Sequence, residues 1–502
     1  MPYIKRTAIK IYNTMTRRKE DFVPRVEGEI SIYACGPTVY NYIHIGNART
    51  FINFDMIRRY LEYRGHKVIF VRNITDIDDK IINRAAEEGT TPQAIADKYE
   101  AAFKADMAAL GVAPPTHEPK AMETITEMIE LVKTLIDRGL AYNVDGNVWF
   151  RVREFQGYGK LSGRSLDEMR AGERVEPDPG KEDPMDFALW KRSKPGEPSW
   201  ESPWGEGRPG WHLECSAMSL KFLGTGFDIH GGAQDLIFPH HENELAQSEG
   251  ASGKDFVRYW VHGGLLNIDR EKMSKSLGNV ALLHDLLKQW SPNAVRMLML
   301  GTHYRNPLDF TREGLVQAQA NVERIERTLQ NIDFALGLEQ SISRHKTLQL
   351  WDAVNEARAH LVGVMNDDFN TAEALPAIFN LIKEVNGAIE GSRDLPVPEA
   401  MHKCREMIVE LTSALGLDLE PEVDWLAVEA PLRALAEEVM GPVPDGVSRE
   451  GVLNALLERR QAAREAREWA VADRIRDSLA DTGIEIEDTA AGARWKLAAK
   501  HD

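Results

Sequence analysis

The sequence predicts an α/β nucleotide-binding core, interrupted by an insertion and followed by an α-helical bundle and a small C-terminal module. Three observations carry this. A strand, a helix and a second, continuously apolar strand follow one another between residues 30 and 71. A Gly/Pro-rich stretch from Pro177 to Gly210 separates that unit from later strands, and after about Asn306 the pattern turns almost wholly helical. The 502 residues suffice for two to four domains and a large core.

The first strand is Ile30 to Ala34, and the helix from Ala48 to Gly65 carries Phe51, Phe54, Ile57, Tyr60 and Leu61 at near-helical spacing. Val68 to Val71 is a β-branched and aromatic run suited to a buried parallel strand, which completes a Rossmann-like strand–helix–strand unit. Residues 1–115 are the first half of this domain, and residues 116–206 are the insertion, with one helix and short strands such as Asn147 to Val152. The second half, 207–285, contains the strand Phe227 to His230, a helix from Pro239 to Glu249 followed by Gly250, and the strand Tyr259 to His262. A connecting segment, 286–320, leads to the bundle, 321–440, with helices over 322–336, 347–366, 371–390 and 398–415. Gly441 to Gly446 reads as a linker that isolates a module at 447–502.

Hydrophobic content of 43% and charged content of 28% fit a soluble globular protein. No apolar run approaches the roughly 18 residues of a membrane span, and the first residues lack the apolar core of a signal peptide, so a cytoplasmic location without membrane attachment is expected. Cys35, Cys215 and Cys404 leave one thiol over in any disulfide scheme, which points to a reducing compartment and to metal or packing roles; Cys404, in the bundle, is read as packing. The net charge of −17 counts against nucleic acid unless positive charge gathers locally.

His44-Ile45-Gly46-Asn47 falls between the first strand and its helix, where backbone N–H groups and the helix dipole favour phosphate, and Gly46 permits close approach. An ordinary turn explains the tetrapeptide equally well by itself. Lys272-Met273-Ser274-Lys275-Ser276 places two lysines and nearby hydroxyls in a glycine-ended loop, a compact clamp for polyphosphate. The two signatures in this order, one at the first strand–helix turn and one after the last strand, predict an adenylation site. Cys35, Cys215, and the pair His240 and Glu244, four apart at a helix start, offer a donor set suited to zinc, although ligands this dispersed form no recognised spacing.

Cys35-Gly36-Pro37-Thr38-Val39-Tyr40 leading into the tetrapeptide, Asn73 to Lys80, Asp228-Ile229-His230-Gly231-Gly232, Phe238 to Glu244 and Lys272 to Ser276 together resemble the cysteinyl-tRNA synthetase family, within the class I aminoacyl-tRNA synthetases, over almost the whole chain. The resemblance implies one zinc ion per chain on Cys35, Cys215, His240 and Glu244. It implies catalysis by His44, Asn47, Lys272 and Lys275, with ATP, accompanied by Mg2+, also meeting Gly46, Gly231, Gly232 and Asp235. Cysteine would lie near Thr75, Trp211 and His230, its thiolate on the zinc, which explains selection against serine without editing. The residues before the bundle become a stem-contact segment and the last module an anticodon reader of tRNA(Cys), with Arg464, Asp473 and Asp488 at base-reading positions. Arg459, Arg460, Arg464, Arg467, Arg474 and Arg476 would supply its local positive field.

Two departures accompany the resemblance: Asn47 stands where class I chains usually have a second histidine, and Pro119 to Thr124 lacks the more usual run. A monomer is expected. The competing readings are a cysteine ligase of mycothiol biosynthesis, which shares the catalytic core but needs no anticodon module, and a non-catalytic RNA-binding paralogue.

Overall fold

The computed structural model describes residues 8–165, 180–268, 271–272, 281–338, 341–390, 394–419, 425–444, 447, 449–482, 484–489 and 492–497. The chain divides into two units. The first comprises residues 1–319, 359–376 and 412–417, and the second 320–358, 377–411 and 418–502.

In the first unit, β1 (Lys10–Asn13) and β2 (Arg18–Asp21) form an antiparallel pair. Strand β3 (Glu29–Ala34) then enters the core, helix α1 (Ile45–Tyr63) follows, and β4 (Lys67–Arg72) returns parallel to β3. Helices α2 (Asp79–Glu88) and α3 (Pro92–Ala109) precede the insertion. That insertion consists of α4 (Ile125–Asp137) and a four-stranded antiparallel sheet of β5 (Ala141–Val144), β6 (Asn147–Phe150), β7 (Phe187–Arg192) and β8 (Gly207–Pro209). Helix α5 (Trp211–Leu223), β9 (Phe227–Ala233), α6 (Glu242–Ser252) and β10 (Val257–Gly263) complete the core.

The core sheet runs β10-β9-β3-β4, all parallel. From β3 the chain crosses to β4 on one side, while β9 and β10 lie on the other. The C-terminal ends of β3 and β9 therefore form a topological switch point, the place where parallel α/β sheets open a ligand crevice. Burial explains the sequence of these strands: Ile30, Ile32, Tyr33, Phe70, Val71, Phe227 and Ile229 are enclosed, as helices cover both faces.

One element begins differently from the expected Pro239 start. Phe238 is extended (φ −139°, ψ 130°), residues 237–241 form a wide π turn, and the regular helix starts at Glu242. The wide turn still leaves His240 and Glu244 on one side of the chain, their side chains 2.8 Å apart.

Beyond β10, β11 (Leu266–Ile268) pairs with β12 (Glu271–Lys272), and α7 (Leu283–Leu286), α8 (Pro292–Leu300) and β13 (Leu308–Phe310) close the catalytic region. The second unit draws on the helices α9 (Arg312–Leu336), α10 (Arg344–Met365), α11 (Thr371–Ile389) and α12 (Pro398–Ala414), the last containing buried Cys404. Within that unit Arg358 pairs with Glu410, and Asn331 Nδ2 donates to Asn386 Oδ1 at 3.2 Å. Helices α13 (Trp425–Met440), α14 (Arg449–Glu465) and α15 (Trp469–Asp481) end on a hairpin of β14 (Ile484–Thr489) and β15 (Gly492–Leu497). Val428, Leu432, Leu435 and Ala436 of α13 share one apolar cluster with Leu453, Leu456, Ile475 and Ile484, so this core reaches back across the Gly441 to Gly446 segment. Among the described residues no helix is long and apolar enough to cross a membrane.

Candidate active site and metal centre

His44 is the N-cap of α1. Its Nδ1 accepts from the backbone N–H of Asn47 (3.2 Å), and Asn47 Oδ1 accepts from the backbone N–H of His44 (3.3 Å). This reciprocal capping box gives Asn47 a structural reason to stand third in the helix, because an amide oxygen can accept there. Backbone bonds then fasten the tetrapeptide to a distant segment: Ile45 N–H donates to Ala281 O (3.0 Å) and Leu283 N–H to Ile43 O (3.0 Å). The second signature lies between this segment and β12, where Lys272 pairs with Asn267 in the backbone register. Ser274, Lys275 and Ser276 lie outside the described residues.

A cavity of ≈ 250 Å³ opens above these elements, lined among others by Cys35, His44, Asn47, Lys80, Trp211 and Asp235. Thus five of the expected site residues meet in one space. Gly231 and Gly232 have a packing reason as well: a Cβ on Gly231 would sit 2.0 Å from the Phe54 ring, and one on Gly232 2.9 Å from His241.

At the floor of this region, Cys35 from the end of β3 and Cys215 from α5 bring their sulfurs to 3.8 Å. Glu244 Oε1 lies 3.5 Å from Cys35 Sγ and 2.8 Å from His240 Nε2. The ligand atoms of Cys35, Cys215, His240 and Glu244 all fall within 4.8 Å of one another, a set able to hold a metal ion. A second set shares two members, Cys35, His230, His241 and Glu244. In that second set His230 Nε2 faces Glu244 Oε2 (2.8 Å), whereas His241, its Nδ1 bonded to His262 Nε2 (2.7 Å) and His262 held in turn by Thr14, keeps its Nε2 3.3 Å from Cys35 Sγ. A ring held through one nitrogen can act as a ligand through the other.

The electrostatics suit a metal. Burial pushes the Cys35 thiol up, whereas the hydrogen bond from Cys35 draws Cys215 down to about 6. Burial opposes ionisation of Glu244, but His230 and His240 outweigh it and hold the carboxylate well below its usual range. Burial likewise disfavours charge on His240, yet Glu244 and Cys215 raise it to about 10. A fully enclosed cluster that keeps a carboxylate and a low thiol together is one that a cation stabilises.

Thr75 and Trp211 flank this centre. Thr75 Oγ1 donates to Glu214 Oε2 (2.7 Å), Asn73 Oδ1 accepts from Gly36 N–H (2.8 Å), and the Trp211 ring stacks on His240 at 4.3 Å. Asn73, Glu214, His212, His241 and His262 carry the surrounding network, and the sequence reading assigned none of them a role. Four of the five sat inside or beside motifs already singled out; His262 ends a strand and offers no signal beyond that position.

In the C-terminal module, Arg464 is half-buried on α14 and Asp473 exposed on α15; the side chain of Asp488 lies outside the described set. The expected arginine field is partly spent locally: Arg459 pairs with Glu468, Arg474 with Glu438, and Arg476 with both Asp473 and Asp477. Trp469, at the start of α15, is 57% exposed.

The doubly crossed parallel sheet, the capped tetrapeptide at its switch point and the helical units that follow define a class I aminoacyl-tRNA synthetase. Residues 21–320 match the model of the class I (C) tRNA synthetase catalytic domain, 363–420 the DALR domain, and 451–495 the cysteinyl-tRNA ligase anticodon-binding domain. The fold is similar to that of methionyl-tRNA synthetase of Mycobacterium tuberculosis solved with methionyl-adenylate, with a TM-score of 0.56, 16% identity, and coverage of 84% of this chain and 96% of that one. The cysteine–tRNA ligase of Pelotomaculum thermopropionicum is 50% identical over 97% of this chain and 99% of its own length. That of Desulfitobacterium hafniense is 49% identical over 98% and 100%. The chain belongs to the cysteine–tRNA ligase family.

Proposed function

We propose that this chain activates L-cysteine with ATP, releasing pyrophosphate, and passes the cysteinyl group to the 3′ end of tRNA(Cys). One observation carries the reading: Cys35, a member of the donor quartet, lines the same cavity as the capped His44 and Asn47. A sulfur-seeking centre thus adjoins a phosphate-seeking helix start.

The quartet fits zinc. Tetrahedral bonds of about 2.3 Å to sulfur and 2.0 Å to oxygen would hold two sulfurs roughly 3.8 Å apart and a sulfur and an oxygen roughly 3.5 Å apart, and those are the separations of Cys35 from Cys215 and from Glu244. When bound, zinc would take the substrate thiolate as a fifth, soft ligand beside the quartet, an expansion for which a serine hydroxyl is too hard a donor. Trp211 and Thr75 border the amino acid in this reading, and His230 orients Glu244.

His44 accepts through Nδ1, which fixes the neutral ring with its proton on Nε2, the donor form that a phosphate oxygen needs. The carboxylate oxygen of cysteine bonds to the α-phosphorus of ATP as the bridging bond to pyrophosphate breaks. Lys272 and Lys275 steady the departing charge, and Mg2+ accompanies the nucleotide. In the second half, a ribose hydroxyl bonds to the acyl carbon, AMP leaves with the bonding pair, and the hydroxyl proton passes to its phosphate. Arg464, Asp473 and Asp488 read the anticodon, with exposed Trp469 available for stacking. The chain works as a cytoplasmic monomer.

Pyrophosphate exchange across cysteine, serine and the mycothiol amine precursor, with and without tRNA, tests this. Cysteine-dependent exchange together with charging of tRNA bearing a GCA anticodon is expected. Absence of exchange with metal-replete protein would exclude the enzyme. The anticodon-domain match at 451–495 counts against the mycothiol ligase.

A further inference from the structure

The segment that follows the second ATP signature meets the His44 turn in a short ladder outside every described sheet. Ile45 N–H donates to Ala281 O, Leu283 N–H donates to Ile43 O, and His44 opposes Leu282 in an antiparallel bridge. Carried one residue past the Ile43–Leu283 pair, this register sets Tyr42 opposite His284, and residues directly opposite in an antiparallel pair place their side chains on one face. The two rings stack accordingly, with centres 4.6 Å apart and planes 15° apart.

The stack is fixed from both sides. Tyr99 of α3, a buried member of the apolar cluster beneath, meets the Tyr42 ring edge-on with centres 5.3 Å apart. Lys288 Nζ donates to His284 Nε2 at 2.8 Å, and Asp285 Oδ1 lies 3.2 Å from Nδ1, so both ring nitrogens have a charged neighbour. Tyr42 and Leu282 line the nucleotide cavity beside His44 and Asn47, whereas His284 is not among the lining residues. One ring of the pair therefore forms the cavity wall, and the other belongs to the chain that has just left Lys272 to Ser276.

Two backbone hydrogen bonds and the four-residue helix α7 make a slight joint for two signatures that must act on one ATP. A stacked aromatic pair adds about as much again as a hydrogen bond. Resting on the proposed activation of cysteine by ATP, we infer that Tyr42 and His284 are positioning residues, the side-chain rung that keeps the nucleotide turn and the second signature in register around ATP. His284 does this without touching the nucleotide. Anchoring of α7 to the core falls to a different side chain, Leu283, which is fully buried.

His284→Leu and Tyr42→Leu, made in the full chain, keep apolar bulk and remove one ring each. In either, kcat/KM for ATP in cysteine-dependent pyrophosphate exchange is expected to fall about fivefold, the size of a lost aromatic pair. KM for cysteine and metal content are expected to stay within about twofold of wild type. The double variant should fall no further than Tyr42→Leu alone, because the same contact is lost only once. His284→Phe, which restores a ring, should recover kcat/KM for ATP to within about twofold. An unchanged ATP dependence in His284→Leu would overturn the inference, as would losses that multiply to about 25-fold in the double variant or no recovery in His284→Phe. A parallel rise in KM for cysteine assigns the pair to general packing and overturns it too. A wild type without any exchange would refute the enzyme reading, and this inference with it.

Discussion

Cys35 and Cys215 stand 180 positions apart in the chain and 3.8 Å apart in the fold. Spacing along the sequence could not join them, because Cys35 follows β3 while Cys215 lies on α5, and only the packing of that helix in the same buried cluster brings the two together; the family motifs supplied the set. The expected outcome for Cys215→Ser is loss of the roughly one metal per chain, read by metal analysis, with the KM for cysteine raised at least about 100-fold. Asp106 tests a different kind of residue. Burial raises its carboxyl to about 6, and Oδ2 has no hydrogen-bond partner among the described residues. The folded state then keeps a proton that the unfolded chain sheds near pH 4, so stability falls as pH rises from about 4 to 6, by on the order of 2 kcal/mol. Asp106→Asn removes that fall: urea midpoints of variant and wild type should differ little at pH 4 and favour the variant at pH 7.

Whole elements were more legible than single residues. Strands β3, β4, β9 and β10 and the long helices announced themselves through apolar runs and helical spacing, since they are buried on predictable faces. The insertion sheet was only partly legible: β6 and β7 are 36 residues apart, and their pairing depends on aromatic packing that no local pattern encodes. Glu242 is the element-scale bond to test: its carboxylate accepts from the backbone N–H groups of Gly159 (2.9 Å), Ser162 (2.7 Å) and Leu161 (3.4 Å), which holds the insertion's 157–163 segment on α6. Glu242→Gln is expected to weaken the hold on this segment by about 2 kcal/mol and to speed amide exchange at Gly159 and Ser162 about 30-fold, read by hydrogen exchange. Gly36→Ala should be far worse. Its Cβ would fall 1.6 Å from the backbone oxygen of Asn73, a clash that side-chain motion cannot relieve, and soluble yield should collapse.

At the scale of the molecule, the charge of −17 no longer argues against an RNA partner, because the family includes an anticodon-binding domain at 451–495. Three of the module's arginines, Arg459, Arg474 and Arg476, are nevertheless engaged in ion pairs with neighbouring carboxylates. The cluster shared by α13, α14 and α15 dictates where the chain should be cut. Ending it at Gly446 would strip α13 of its apolar partners, whereas removal of residues 425–502 takes the cluster whole. That shorter chain is expected to retain cysteine-dependent pyrophosphate exchange and to lose charging of tRNA with a GCA anticodon; unchanged charging would refute the anticodon assignment.

The bonds from Ile45 to Ala281 and from Leu283 to Ile43 also order events during synthesis. As the ribosome extends the chain from its N-terminus, Cys35 and His44 emerge early and wait. The second sulfur arrives at 215, the last carboxylate ligand at 244, and the strap that fastens the nucleotide turn only after 281. Such distant pairings are late and slow. The nascent chain therefore carries all four donors of the quartet before the residue that straps down the His44 turn has been made.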